Sequence, residues 1–283
     1  MPGSYAARQP PAEKGEKPAT VLVTGFGPFL SKFPRNSSWE IASTLPALIP
    51  TSPTSPTPIQ IHVHHEAIRV AYKHVTALIP QLLPPNNPLH PEPEIILHIG
   101  LAAGRDFFAL EQSAHGRGYH QIPDVDGERF PDGSAEAAFP PAKFPPVLKT
   151  SFDTSDVLAR WKANLGYSSV EGSADDEDAP DVRLSSDAGN FLCGFIYYNS
   201  LAHYFSVSGE ERPVAFMHVP DLSSSEDKMR EGREVAIALI KALVESKRKM
   251  GARDASTHAD VEGAGKSKMS DATDGNKTDN NFA

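Results

Sequence analysis

Val21-Leu22-Val23-Thr24-Gly25-Phe26-Gly27-Pro28-Phe29 opens as a β-branched apolar run and stops on a turn built from two glycines and a proline. A short apolar run closed by turn residues reads as a strand. Residues 59–65, 94–99 and 213–218 repeat the pattern. Residues 37–49, 69–83, 192–205 and 226–249 instead space their apolar side chains as helices do, and the first of them opens with Ser37-x-x-Glu40, the form of a capping box. Strand and helix signals that alternate in this way predict an α/β protein: a single-domain three-layer α/β/α sandwich around a mainly parallel twisted sheet. Chemistry in such sheets gathers where the strands end at their carboxyl side, so the residues after each strand carry the functional question.

Composition narrows the answer. The chain has 283 residues, a net charge of −9 and a single cysteine. No internal disulfide is possible, which suits a reducing compartment and a cytoplasmic protein. Lysines and arginines form no basic stripe and are outnumbered by acidic residues, which argues against nucleic acid as a partner. No apolar stretch is long enough to cross a bilayer, so no membrane association is expected. Residues 1–19 and 250–283 are polar, poor in aliphatic residues and expected to be disordered tails around a domain at 20–249. Inserted surface loops are expected near 131–146 and 171–182, with another at 51–58. Asn36-Ser37-Ser38 and Asn276-Lys277-Thr278 match a glycosylation sequon and are read as chance matches.

Three residues stand out at the ends of these elements. Cys193 follows the turn-forming stretch Asp187-Ala188-Gly189-Asn190 and begins an apolar run, where free backbone N–H groups and the helix dipole favour a thiolate. A buried cysteine acting as a small hydrophobe is the alternative. His218 closes the strand Ala215-Phe216-Met217-His218, whereas His62, His64 and His65 lie in polar surroundings and read as surface. Glu111 ends the apolar run Phe107-Phe108-Ala109-Leu110 and, if buried, needs a donor. Together these are the parts of a thiol nucleophile, its base and an orienting carboxylate. No metal is needed for that chemistry, since the chain lacks a His-x-x-x-His motif and one cysteine cannot build a thiolate cluster. Gly25-x-Gly27 has no third glycine and leads into Pro28, so it is a poor phosphate loop. Phe26 and Phe29 on that turn either wall an apolar pocket or serve as core aromatics.

Four motifs stand in one order: Thr24-Gly25-Phe26-Gly27-Pro28-Phe29 with Asn36-Ser37-Ser38-Trp39, Leu110-Glu111, Asp187 to Cys193, and Phe216-Met217-His218-Val219-Pro220. In this the chain resembles the pyroglutamyl-peptidase I family of cysteine peptidases, over roughly residues 20–249. The resemblance implies an omega-peptidase with an α/β/α fold, no cofactor, and peptides with an amino-terminal pyroglutamate as partners. It further implies Cys193 as nucleophile, His218 as base and then acid, and Glu111 as the group orienting the imidazole. Phe26, Phe29, Ile122, Phe191 and Leu192 would form the lactam pocket, with Asn36 near its entrance. Bacterial members carry an arginine before Ile-Pro-Asp that helps to hold the oxyanion. This chain has Gln121 there, and His115-Gly116-Arg117-Gly118-Tyr119 looks closer to animal members, which makes Arg117 a second oxyanion candidate. Another cysteine hydrolase of small cyclic amides, or a non-catalytic binding protein of the same family, remains as an alternative. Oligomeric state is not legible in the sequence.

Overall fold

The computed structural model describes residues 17–29, 34–52, 55–89, 92–167, 179–209 and 211–266, with side chains to 251. Its strands are β1 (Ala19–Gly25), β2 (Leu48–Ile49), β3 (Ile59–Val63), β4 (Ile95–Leu101), β5 (Phe108–Glu111), β6 (Ser113–His115), β7 (Val147–Lys149), β8 (Val182–Ser185) and β9 (Val214–Val219). The helices are α1 (Ser37–Ala42), α2 (Tyr72–Leu82), α3 (Asp132–Ala138), α4 (Thr154–Asn164), α5 (Leu192–Ser208) and α6 (Glu226–Lys266). Seven strands form one sheet in the order β2-β3-β1-β4-β9-β5-β8, and β6 pairs with β7 in a separate ribbon. Pairing within the large sheet is parallel except for β2 with β3 and β5 with β9.

Side-chain alternation builds the layers. Successive residues of a strand face opposite sides of the sheet. On β1, Val21 and Val23 enter the core beneath α1, α4 and α6, whereas Leu22 enters the core beneath α2 and α5. β9 repeats the division, with Ala215, Met217 and Val219 on the first side and Val214 and Phe216 on the second. Each fully buried aliphatic side chain contributes about 1.5–3 kcal/mol to the folded state. The same parity puts His98 and His218 on the α5 side. His98 is wholly buried, bonded to Thr24 Oγ1 at 2.7 Å and Ser200 Oγ at 2.9 Å, and burial lowers its pKa to about 3. It is a neutral core residue that ties α5 to the sheet.

Several elements depart from the sequence expectation, each for a local reason. The helix expected over 37–49 ends at Ala42, because Thr44 Oγ1 folds back onto Glu40 O and Ile41 O and Pro46 disfavours helix before it. Its cap is Asn36, whose side chain accepts from Ser38 N at 3.1 Å, and not Ser37, whose hydroxyl accepts from Leu222 N at 3.0 Å. The segment 131–146, expected as a loop, contains α3. Most of the acidic insertion, residues 168–178, lies outside the described residues, as do residues 1–16 and 267–283. α6 continues past the expected boundary at 249 as far as Lys266, over a stretch that has no proline to stop it. The packed unit that holds the sheet ends at Ser246. No helix among the described residues is long and apolar enough to cross a membrane.

Candidate active site

β5 and β9 run antiparallel, with Ala109 opposite His218, so the carboxylate at the end of β5 and the imidazole near the end of β9 share one face. Both are buried: Glu111 is 0% exposed and His218 4%. His218 Nδ1 lies 2.7 Å from Glu111 Oε1. Burial disfavours an ionised Glu111, but hydrogen bonding and charge from His218, then bonds from Ser185 and Arg105, outweigh it and hold its pKa below the usual carboxylate range. An ionised carboxylate only accepts, so Nδ1 carries the proton and Nε2 is left with a free lone pair. His218 is thereby set up as a base.

Arg105 is the residue that sequence reasoning missed. It lies between β4 and β5, donates from Nη1 to the same Glu111 oxygen at 2.7 Å, and reaches Asp187 O from Nη2 at 3.2 Å. It thus links the carboxylate to the segment that leads into Cys193. The one available signal was physical: a buried Glu111 requires donors, and Arg105 and Arg117 flank it at six residues on either side.

Cys193 is the second residue of α5, whose first turn has no side-chain cap. The first N–H to return a helical bond is that of Phe195, to Phe191 O at 3.0 Å, so the N–H groups of Leu192, Cys193 and Gly194 carry no helical partner. Gly100 makes room for the thiol. A Cβ there would stand 2.8 Å from Cys193 Sγ and 2.6 Å from Phe216 Cζ, and Gly100 is the register partner of His218 in the sheet. The sulfur therefore rests on β4 beside the imidazole strand. Gly194 is also required, because a Cβ would meet Gly189 O at 2.0 Å. Burial, followed by the charge of Glu111, pushes the thiol up to about 12, with Arg105 opposing. The sequence predicts a thiol pKa lowered at the helix start; burial and Glu111, opposed by Arg105, shift it upward instead.

Phe26, Phe29, Asn36, Phe191 and Leu192 meet Cys193 around one cleft of about 30 Å³, which Val70 and Leu101 complete. Phe29 and Phe191 both line it, their rings in tilted contact with centroids 6.3 Å apart. Asn36 is buried, and its amide is taken up by Gly27 O at 2.9 Å while its oxygen caps α1, so it shapes the aromatic turn. Ile122 is 45% exposed and stands outside this lining; its carbonyl accepts from Tyr72 Oη at 3.1 Å. Neither oxyanion candidate hydrogen-bonds to Cys193. Arg117 pairs with Glu136 at 3.2 Å, and the Gln121 side chain is exposed while its carbonyl accepts from Arg129. His62 and His64 are half-buried, contrary to the surface reading, and line a different cavity. Burial, then His65, holds His64 below the usual histidine range.

The chain is similar to several known proteins. A family profile described as pyroglutamyl peptidase matches residues 19–150, a span that includes Glu111. Human pyroglutamyl-peptidase 1 is 28% identical over 225 residues, covering 80% of this chain and 90% of that protein. The pyrrolidone-carboxylate peptidase of Deinococcus radiodurans is 29% identical over 202 residues, 71% of this chain and 78% of its own. Among solved structures, pyrrolidone carboxyl peptidase from Thermus thermophilus superposes with a TM-score of 0.53 at 25% identity, covering 80% of this chain and 99% of that one. The Thermococcus litoralis enzyme shares the fold with a TM-score of 0.59 at 19% identity, over 82% and 96% of the two chains.

Proposed function

The chain belongs to the pyroglutamyl peptidase family, and on that premise we propose that it is a cysteine omega-peptidase that hydrolyses the amide bond after an amino-terminal pyroglutamate. The observation that carries this reading is the buried His218–Glu111 bond of 2.7 Å beside a thiol seated over Gly100. His218 Nε2 takes the proton of Cys193 as the sulfur attacks the scissile carbonyl. The free N–H groups in the first turn of α5 point to where the oxyanion develops, so the backbone supports that role better than Gln121 or Arg117. The imidazolium then protonates the departing amine, leaving a thioester. Water activated by the same histidine hydrolyses it and restores the thiol.

Specificity follows from the lining. Aromatic and aliphatic side chains surround the cleft, with Asn36 already satisfied, and among the described residues its lining contains no carboxylate to meet an ammonium group. An uncharged lactam ring enters such a site without losing a charge's hydration, whereas a free amino terminus does not. A cleft of about 30 Å³ has room for roughly one water, so admission of a ring requires its lining side chains to move apart. Peptides with an amino-terminal pyroglutamate are the substrates this favours, and a lone cysteine is consistent with action in the cytoplasm.

Turnover of a fluorogenic pyroglutamyl amide tests the reading. Wild type is expected to cleave it and to leave the prolyl analogue essentially untouched, and Cys193→Ala is expected to stay folded and lose all measurable turnover. Equal cleavage of both amides, or retained turnover in purified Cys193→Ala, would refute it.

A further inference from the structure

A second cavity, of about 760 Å³, lies between the end of β3 and α2 and shares no lining residue with the aromatic cleft. The face of the sheet that buries Leu22 and Ile96 beneath α2 and α5 carries His62 and His64 where it reaches β3, with His62 in register with Leu22. His74 faces the same cavity from α2. The Nε2 atoms of His62, His64 and His74 are all buried, and none has a hydrogen-bond partner among the described residues. Buried imidazole nitrogens without partners are unfavourable, and three of them on one cavity call for a ligand that engages nitrogen.

His65 and Glu66 supply the rest. One ligand atom from each of His64, His65 and Glu66 lies within 4.8 Å of the others. The backbone at this point is held, because His64 N donates to Val23 O at 2.8 Å, while the side chains of His65 and Glu66 are 79% and 61% exposed, paired with each other at 3.8 Å, with the His65 ring against that of His64. Donors on one ion with bonds of roughly 2.0–2.2 Å sit about 3–4 Å apart, so a modest rotation of the two exposed side chains closes the set. Glu66 weighs against an anion. Two imidazoles and a carboxylate suit a borderline divalent ion of the zinc class better than magnesium or calcium, which favour all-oxygen shells.

We propose that His64, His65 and Glu66 form a binding site for a divalent transition-metal ion at the exit of β3, opening on the cavity that His62 and His74 also line. The ion takes no part in the thiol chemistry, and the inference does not depend on the peptidase reading.

Metal-stripped, tag-free full-length protein, alkylated at Cys193 so that the thiol cannot bind metal, is titrated with Zn²⁺ in competition with a chromophoric chelator. The expected result is one Zn²⁺ per chain at micromolar affinity or tighter, a melting temperature that rises with added Zn²⁺, and visible d–d bands when Co²⁺ is substituted. His65→Ala and Glu66→Gln, both at exposed positions, should each weaken binding by roughly 10-fold or more, and His64→Ala should abolish it. Absence of Zn²⁺ binding by the alkylated chain, or an affinity unchanged by His65→Ala and Glu66→Gln, overturns the proposal.

Discussion

Burial, then the charge of Glu111, pushes the Cys193 thiol up to about 12, which favours a protonated thiol near neutral pH and proton transfer to His218 during attack. The sign gives a test. Below that pKa the thiolate fraction rises about tenfold per pH unit, so iodoacetamide should alkylate Cys193 roughly tenfold faster for each unit between about pH 7 and about pH 10. Mass spectrometry of samples quenched over time measures the rate, and a rate that is flat over that range would show a preformed thiolate and refute the proton-transfer order. Cys193, His218 and Glu111 each end or interrupt an apolar run, where each also has a structural reading, and they became legible as a set because four motifs stand in one order. Arg105 escaped notice because arginine in a loop with Gly104 and Asp106 is ordinary surface composition, and only the three-dimensional meeting with Glu111 gives it a task.

At the scale of elements, the site depends on helix and strand ends meeting at close quarters. α5 can set its thiol against β4 only because position 100 has no side chain. Gly100→Ala places a methyl group 2.6 Å from Phe216 Cζ and 2.8 Å from Cys193 Sγ, well inside contact distance. Overpacking of this kind costs about 1–3 kcal/mol. The variant should melt at a lower temperature and lose roughly 10-fold to 100-fold in kcat/KM, because the sulfur is displaced from the imidazole. Calorimetry and steady-state rates check both effects, and an unchanged melt with unchanged kcat/KM would mean that the thiol does not rest on β4. Elements whose ends are set by their own residues were legible: β1 stops at its glycine turn, and α5 begins after the turn at Asp187 to Asn190. Those set from a distance were not. The expected helix at 69–83 starts only at Tyr72, whose N–H is taken by Asp124 Oδ2 at 2.9 Å, a partner 52 residues away. β5 and β8, four residues each, are too short to show a period, although β5 carries Glu111.

At the scale of the molecule, the sheet and both of its helical layers draw their apolar contacts from residues between Ala19 and Val244. β1 begins two residues after Lys17, with Ala19 N already bonded to Pro58 O at 2.9 Å. At the other end, the last buried side chains of α6 are Val244 and Ser246. Among the described residues the core lies between Ala19 and Val244, which is the basis for proposing a catalytic domain at 20–249, and the polar composition of residues 1–17 and 251–283 offers little apolar surface to add to it. Deleting both segments should leave kcat/KM within about twofold and shift the melting temperature by less than about 2 °C, equivalent to under about 1 kcal/mol for a domain of this size. The helical backbone from Lys247 to Lys266 makes the carboxyl-terminal cut the sharper test, so it should also be made alone. Differential scanning calorimetry and steady-state turnover on the two trimmed chains supply the measurement. A fall of several degrees in the chain that lacks only 251–283 would show that this helix contributes to the fold and that the domain extends beyond residue 249.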